Sequence, residues 1–152
     1  MSRPPSLGYD YETMTEDLNC LMNHLDLHEA ALVGFSMGAG ELARYLGKYG
    51  RDRVTQAVII SGITPYLLKT TENPIGVDGG VFKKIQAGLV ADRPAFLTGF
   101  FKDFYNVDKL SGNRISEQAV HASWLAAVLA SPKGTEDCVG AWQTDFRRLT
   151  PY

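Results

Sequence analysis

The sequence predicts an α/β fold: a parallel strand-helix-strand unit followed by a run of helices. Three observations carry this. Ala30 to Val33 and Val54 to Ile60 are short, largely apolar runs, the second rich in β-branched residues, as buried parallel strands require. Between them Leu42, Tyr45, Leu46 and Tyr49 recur at helical spacing. Beyond Gly62 the strand signals stop and helical patterns follow one another, with no further strand expected.

Taken in order, Asp10 is placed to cap a helix whose apolar positions Met14, Leu18, Leu21, Met22 and Leu25 share one face. The run Ala30 to Val33 is expected as a strand covered on both faces, and the helix after it should end at Gly50 in a left-handed cap. Val54 to Ile60 then completes a right-handed crossover unit. Val81, Phe82, Ile85 and Leu89 share the face of a further helix, and Asp92 with Pro94 opens the aromatic-rich stretch Phe96 to Tyr105. Ser116 caps a helix bearing Val120, Trp124 and Val128, and Ser131-Pro132 starts a last one expected to end near Phe146. Asn73-Pro74, Gly79-Gly80 and Ser111-Gly112-Asn113 read as turns.

The sharpest chemical signal is Gly34-Phe35-Ser36-Met37-Gly38, a Gly-x-Ser-x-Gly pentapeptide set between the first strand and the helix. A serine on so tight a strand-to-helix turn takes a strained backbone and lifts its hydroxyl above the sheet edge. Gly34 and Gly38 would let the two backbones approach. At average composition the pattern arises by chance about once in 3,000 positions, so its placement carries more weight than its occurrence. Ser36 is therefore the candidate nucleophile.

Composition excludes other classes. The 152 residues carry a net charge of -2 with no basic cluster, which gives no support to a nucleic-acid partner or an anionic membrane surface. No apolar run is long enough to span a bilayer and the first residues lack a secretory core, so the cytoplasm is the expected location. Cys20 and Cys138 are far apart and are expected as buried free thiols. His24, His28 and His121 form no metal spacing with nearby acids, so no metal is expected. His28 enters the strand that Ser36 leaves, about 15 Å or more away, and so is not a general base. His24 lies on the same far side, leaving His121, whose ordinary reading is a partly exposed helix residue.

Gly8-Tyr9-Asp10-Tyr11, His24-Leu25-Asp26-Leu27, Val33 to Gly38 with Gly40-Glu41, and Arg44-Tyr45-Leu46 resemble, in that order, the α/β-hydrolases, in particular the cofactor-free (non-haem) chloroperoxidase and arylesterase branch. The resemblance continues through Leu68-Lys69-Thr70, Asn73-Pro74, Ala87-Gly88, Ala91-Asp92-Arg93 and Thr144-Asp145-Phe146. It implies a partial α/β-hydrolase fold: residues 1–63 as core with the nucleophile elbow and residues 64–149 as a helical cap, in one structural domain overall. It further implies that Ser36 attacks an ester carbonyl and that the Met37 backbone N–H helps hold the oxyanion. Water or hydrogen peroxide then releases the acyl group, without haem, metal or other cofactor. The implied substrates are a small ester, or a short-chain acid with peroxide. The family's first four strands, its second oxyanion donor, and its triad acid and histidine have no counterpart in these residues, and Ala39 stands where the branch often has glycine. The expectation is thus of an impaired serine hydrolase. The alternative is a truncated, non-catalytic interaction module whose exposed sheet edges a homo-oligomer or complementing chain would cover.

Overall fold

The computed structural model describes residues 6–148. Two compact units are present, one formed by Gly80–Val139 and the other by Leu7–Gly79 together with the chain from Gly140. The second unit interrupts itself to accommodate the first.

In the unit that begins at Leu7, α1 (Tyr11–His24) starts where Asp10 accepts the Thr13 N–H at 2.9 Å. Its inner face is Tyr11, Thr15 and Met22, whereas Leu21 and Leu25 remain about half exposed. Leu25 is already the C-cap and has left the helical register. Next, β1 (Ala30–Phe35) runs two residues beyond the predicted strand, because pairing with β2 (Val54–Ile60) continues to Phe35↔Ile60. The two strands are parallel, as the pattern required. Between them, α2 (Gly38–Tyr49) ends at Gly50 with φ +71 but ψ −154; the positive φ is as expected, while ψ lies outside the left-handed helical region. Met22, Tyr45 and Val54 form the core, with Leu18, Ala30, Leu32, Leu46 and Tyr49 around them.

The expected two-sided burial of the strands is not what the fold delivers. Burial alternates along β1, and in β2 only Val54 is buried. Among the described residues, burial is confined to one side of β1 and to Val54 of β2: Val33, Phe35, Val58 and Ile60 are exposed on one face of the sheet, and Ile59 is exposed on the other. The ion pairs of Glu12 with Arg44 and Lys48, and of Glu16 with Lys48, tie α1 to α2 on the surface. Hydrogen bonding to Lys48 lowers both carboxyl pKa values.

In the other unit, α3 (Gly79–Phe104) is two helices broken at Asp92, whose φ of −155 and ψ of 87 are not helical. The Asp92 side chain accepts the Ala95 N–H at 3.0 Å, so the Asp-x-Pro signal is the N-terminus it resembled. Gly79 and Gly80 start this helix and do not form a turn. After the short α4 (Val107–Leu110), α5 (Glu117–Leu129) opens on the Ser116 cap and α6 (Pro132–Ala141) follows. The last helix stops five residues short of Phe146. Arg93 donates to the carbonyls of Ala127, Val128 and Ala130 at 2.6, 3.0 and 2.9 Å, closing the C-terminus of α5 with a cation. Neither cysteine is buried: Cys20 is exposed and Cys138 is half-buried, both as free thiols. No helix among the described residues is long and apolar enough to cross a membrane.

Candidate active site

The corner between β1 and α2 is built as a strained turn. Ser36 has φ +51, a left-handed conformation that an L side chain rarely adopts. Its N–H still belongs to the sheet, donating to Ile60 O at 3.0 Å, and its carbonyl accepts the Ala39 N–H at 3.2 Å in the first turn of α2. Strand pairing ends and helix bonding begins on one residue. Ser36 is half-buried, and Met37 stands at the N-cap position, where backbone N–H groups lack intrahelical partners.

The two glycines of the pentapeptide do different work. A Cβ on Gly34 would lie 2.7 Å from Gly38 O and 2.8 Å from Ala39 Cα, so only glycine lets the strand pass under the helix. At Gly38 a Cβ would meet nothing within 4 Å. The expectation that both glycines serve close approach is corrected to Gly34 alone, because the helix start turns Gly38 toward open space. Gly40, to which the sequence pattern assigns no role, is also tight. A Cβ on Gly40 would lie 2.5 Å from Phe146 Cζ and 2.7 Å from Tyr11 Cε1.

Behind the corner, Tyr11 and Phe146 pack edge to face with ring centroids 4.9 Å apart, and the Tyr11 hydroxyl donates to Met37 O at 3.0 Å. Phe146 is fully buried and its N–H donates to Pro65 O at 2.9 Å. Beside it, Arg147 bonds Asp145 and Glu72 and lies over the Tyr66 ring. The Arg147 hydrogen bonds hold the Asp145 carboxyl down at about 2. The signal for these supports was present in Gly8-Tyr9-Asp10-Tyr11 and Thr144-Asp145-Phe146, but sequence spacing does not say that the two segments meet.

A cavity of about 150 Å³ opens beside the elbow between Leu18, Leu32, Val33, Gly38, Glu41 and Leu42. Burial, with a smaller contribution from Asp17, pushes the Glu41 carboxyl above its ordinary value. Neither His24 nor His28 lines this cavity. His24 is in the last turn of α1, and His28 meets Asp26 at 3.0 Å before β1 begins. His121 is exposed on α5, stacked on Trp124 and lining an apolar cavity of about 340 Å³ inside the Gly80–Val139 unit. Among the described residues no three His, Cys, Asp or Glu side chains gather as a metal ion would require.

Residues 2–110 match the model of the alpha/beta hydrolase fold family. This chain belongs to that family. The hydrolase-fold chain is 57% identical over 150 residues to a Synechocystis sp. protein provisionally named a non-heme chloroperoxidase, covering 99% of this chain and 54% of that one. It is 32% identical over 145 residues to the bifunctional esterase/perhydrolase DCH of Acinetobacter calcoaceticus, covering 91% of this chain and 51% of that protein. Among solved structures, the bromoperoxidase of Bacillus anthracis aligns with a TM-score of 0.88 at 42% identity, over 97% of this chain and 54% of the other. These relatives agree with the resemblance to the non-haem haloperoxidase branch. The hydrolase-fold chain spans about half the length of the curated relatives it matches.

Proposed function

We propose that the chain carries the nucleophile elbow of a serine hydrolase of the esterase and perhydrolase type. The observation that carries this reading is Ser36 itself: a serine at φ +51 on a strand-to-helix corner, held by a sheet bond on one side and a helix bond on the other. In the proposed reaction the Ser36 oxygen bonds to the acyl carbon of a small ester and the alkoxide leaves, taking up the serine proton by way of a general base. Water then gives the free acid, or hydrogen peroxide the peracid, and the serine is regenerated. The Met37 N–H, at the amino end of α2, donates to the oxyanion of the tetrahedral intermediate. No histidine of the 152 residues is assigned the general-base role, so turnover by this chain alone is proposed to be impaired, by about 10⁴-fold as when a triad member is lost.

The test uses the purified 152-residue chain. A fluorophosphonate probe should label it at Ser36, and Ser36→Ala should abolish both labelling and any p-nitrophenyl acetate turnover. Equal labelling of wild type and variant would sink the reading.

A second reading is favoured by the outward side chains of Val33, Phe35, Val58 and Ile60 on a two-stranded sheet. Such a sheet face suits an interaction module whose partner supplies strands and a covering layer. A monodisperse, non-associating monomer by sedimentation would count against it.

A further inference from the structure

We infer that Tyr11 is a positioning residue of the elbow, acting on Ser36 through the Met37 carbonyl; the inference rests on Ser36 being the nucleophile. A serine in the left-handed region relaxes unless its surroundings hold it there. Met37 O accepts the Gly40 N–H at 2.9 Å from within the helix and the Tyr11 hydroxyl at 3.0 Å from a residue 26 positions earlier. The helix bond alone would move with the first turn of α2 if that turn shifted. The Tyr11 bond has an anchor outside that turn, because its ring is 2% exposed and meets Phe146 edge-on.

The Tyr11 hydroxyl thus ties the start of α1 to the first peptide plane after the serine. Loss of the Tyr11 bond would leave the Met37–Gly38 peptide held only by the Gly40 N–H of the same turn. The first turn of α2 could then unwind and Ser36 relax toward negative φ, taking the Met37 N–H out of line with a developing oxyanion. Gly40 and Phe146 enter the same device as the walls that keep the tyrosine ring in place.

A buried tyrosine that merely satisfies its own hydroxyl would contribute to stability without setting elbow geometry. The two roles separate experimentally. Met37-Gly38 is the single Met-Gly step in the sequence, so labelling methionine with ¹³C at the carbonyl and glycine with ¹⁵N yields one carbonyl resonance for that peptide. Tyr11→Phe should move this resonance upfield, the direction of a lost hydrogen bond, and slow fluorophosphonate labelling of Ser36 about tenfold, the effect of one hydrogen bond. Met22→Ala, in the core on the same helix, should lower Tm at least as much yet leave the resonance in place. Phe146→Leu, which keeps the hydroxyl but loosens the ring, should shift the resonance the same way by less, and it decides the matter if Tyr11→Phe does not fold. An unmoved resonance in Tyr11→Phe, or an equal shift in Met22→Ala, overturns the inference. A wild-type chain that is not labelled, with the carbonyl still moving in Tyr11→Phe, supports the tether and sinks the nucleophile reading instead.

Discussion

At position 36 a serine holds a backbone conformation that costs an L residue on the order of 1–3 kcal/mol, and the residues around it are chosen for how close they can come. Gly34 and Gly40 both exclude a Cβ, but against different neighbours. At Gly34 the obstacle is the backbone of Gly38 and Ala39, which cannot give without moving the helix, so Gly34→Ala should cost at least about 2–3 kcal/mol. At Gly40 the obstacles are the rings of Phe146 and Tyr11, which can turn, and alanine gains about 1 kcal/mol of helix propensity, so Gly40→Ala should cost clearly less. Urea unfolding of the two variants tests the order. Glu41, beside the elbow, gives a pH signature of opposite sign to most carboxylates. Its folded pKa is raised, so its ionisation opposes folding: the penalty is absent below the ordinary value of 4.5 and develops as pH rises through the folded value. Glu41→Gln should therefore raise the urea midpoint at pH 7, with the gain vanishing below about pH 4.5. Asp145 runs the other way. Its contribution is present above its ordinary 3.8 and is lost as pH falls toward about 2. The Gly-x-Ser-x-Gly spacing was enough to locate Ser36, because strand and helix periodicities on either side are local properties. Tyr11, Gly40 and Phe146 were not legible as its supports, because what joins them is contact between segments distant in the chain, 26 positions for Tyr11 and Met37 and farther still for Phe146.

Among the elements, local signals did well where the partner was near in sequence. Asp10, Asp92 and Ser116 each cap the helix they precede, since a side-chain oxygen and an N–H three residues on are set by local geometry. Burial was harder to read. An apolar strand such as Val54–Ile60 records the surroundings it was selected for, and among the described residues it stays exposed beyond Val54 with one edge unpaired. Arg93 illustrates the same limit, since nothing within a turn of it reveals the α5 carbonyls it closes. Its guanidinium serves three carbonyls and the Thr135 hydroxyl at once. Arg93→Ala should destabilise the Gly80–Val139 unit by about 2–3 kcal/mol, leaving helix-end carbonyls unpaired, and Arg93→Lys should recover little of it because an ammonium cannot span that fork. Amide exchange resolved by unit is the appropriate measurement, with α5 losing protection first.

For the molecule as a whole, the sheet sets the solution behaviour. Val33, Phe35, Val58 and Ile60 form an apolar patch on a sheet whose two edges are unpaired among the described residues, the arrangement most prone to recruit another strand. Replacing Val33 and Val58 with lysine should reduce dye binding to exposed apolar surface and raise the concentration at which the chain associates, while leaving helix content unchanged by circular dichroism. The interrupted unit also orders events in time. Phe146 completes the wall behind Tyr11 and Gly40, yet it is added only after the whole Gly80–Val139 insertion has been made. On a ribosome advancing at about 5–20 residues per second, the newborn corner waits several seconds before Phe146 can pack against Tyr11. A chaperone that shelters nascent polypeptide would find its target in that interval, and a pause before codon 146 would lengthen it.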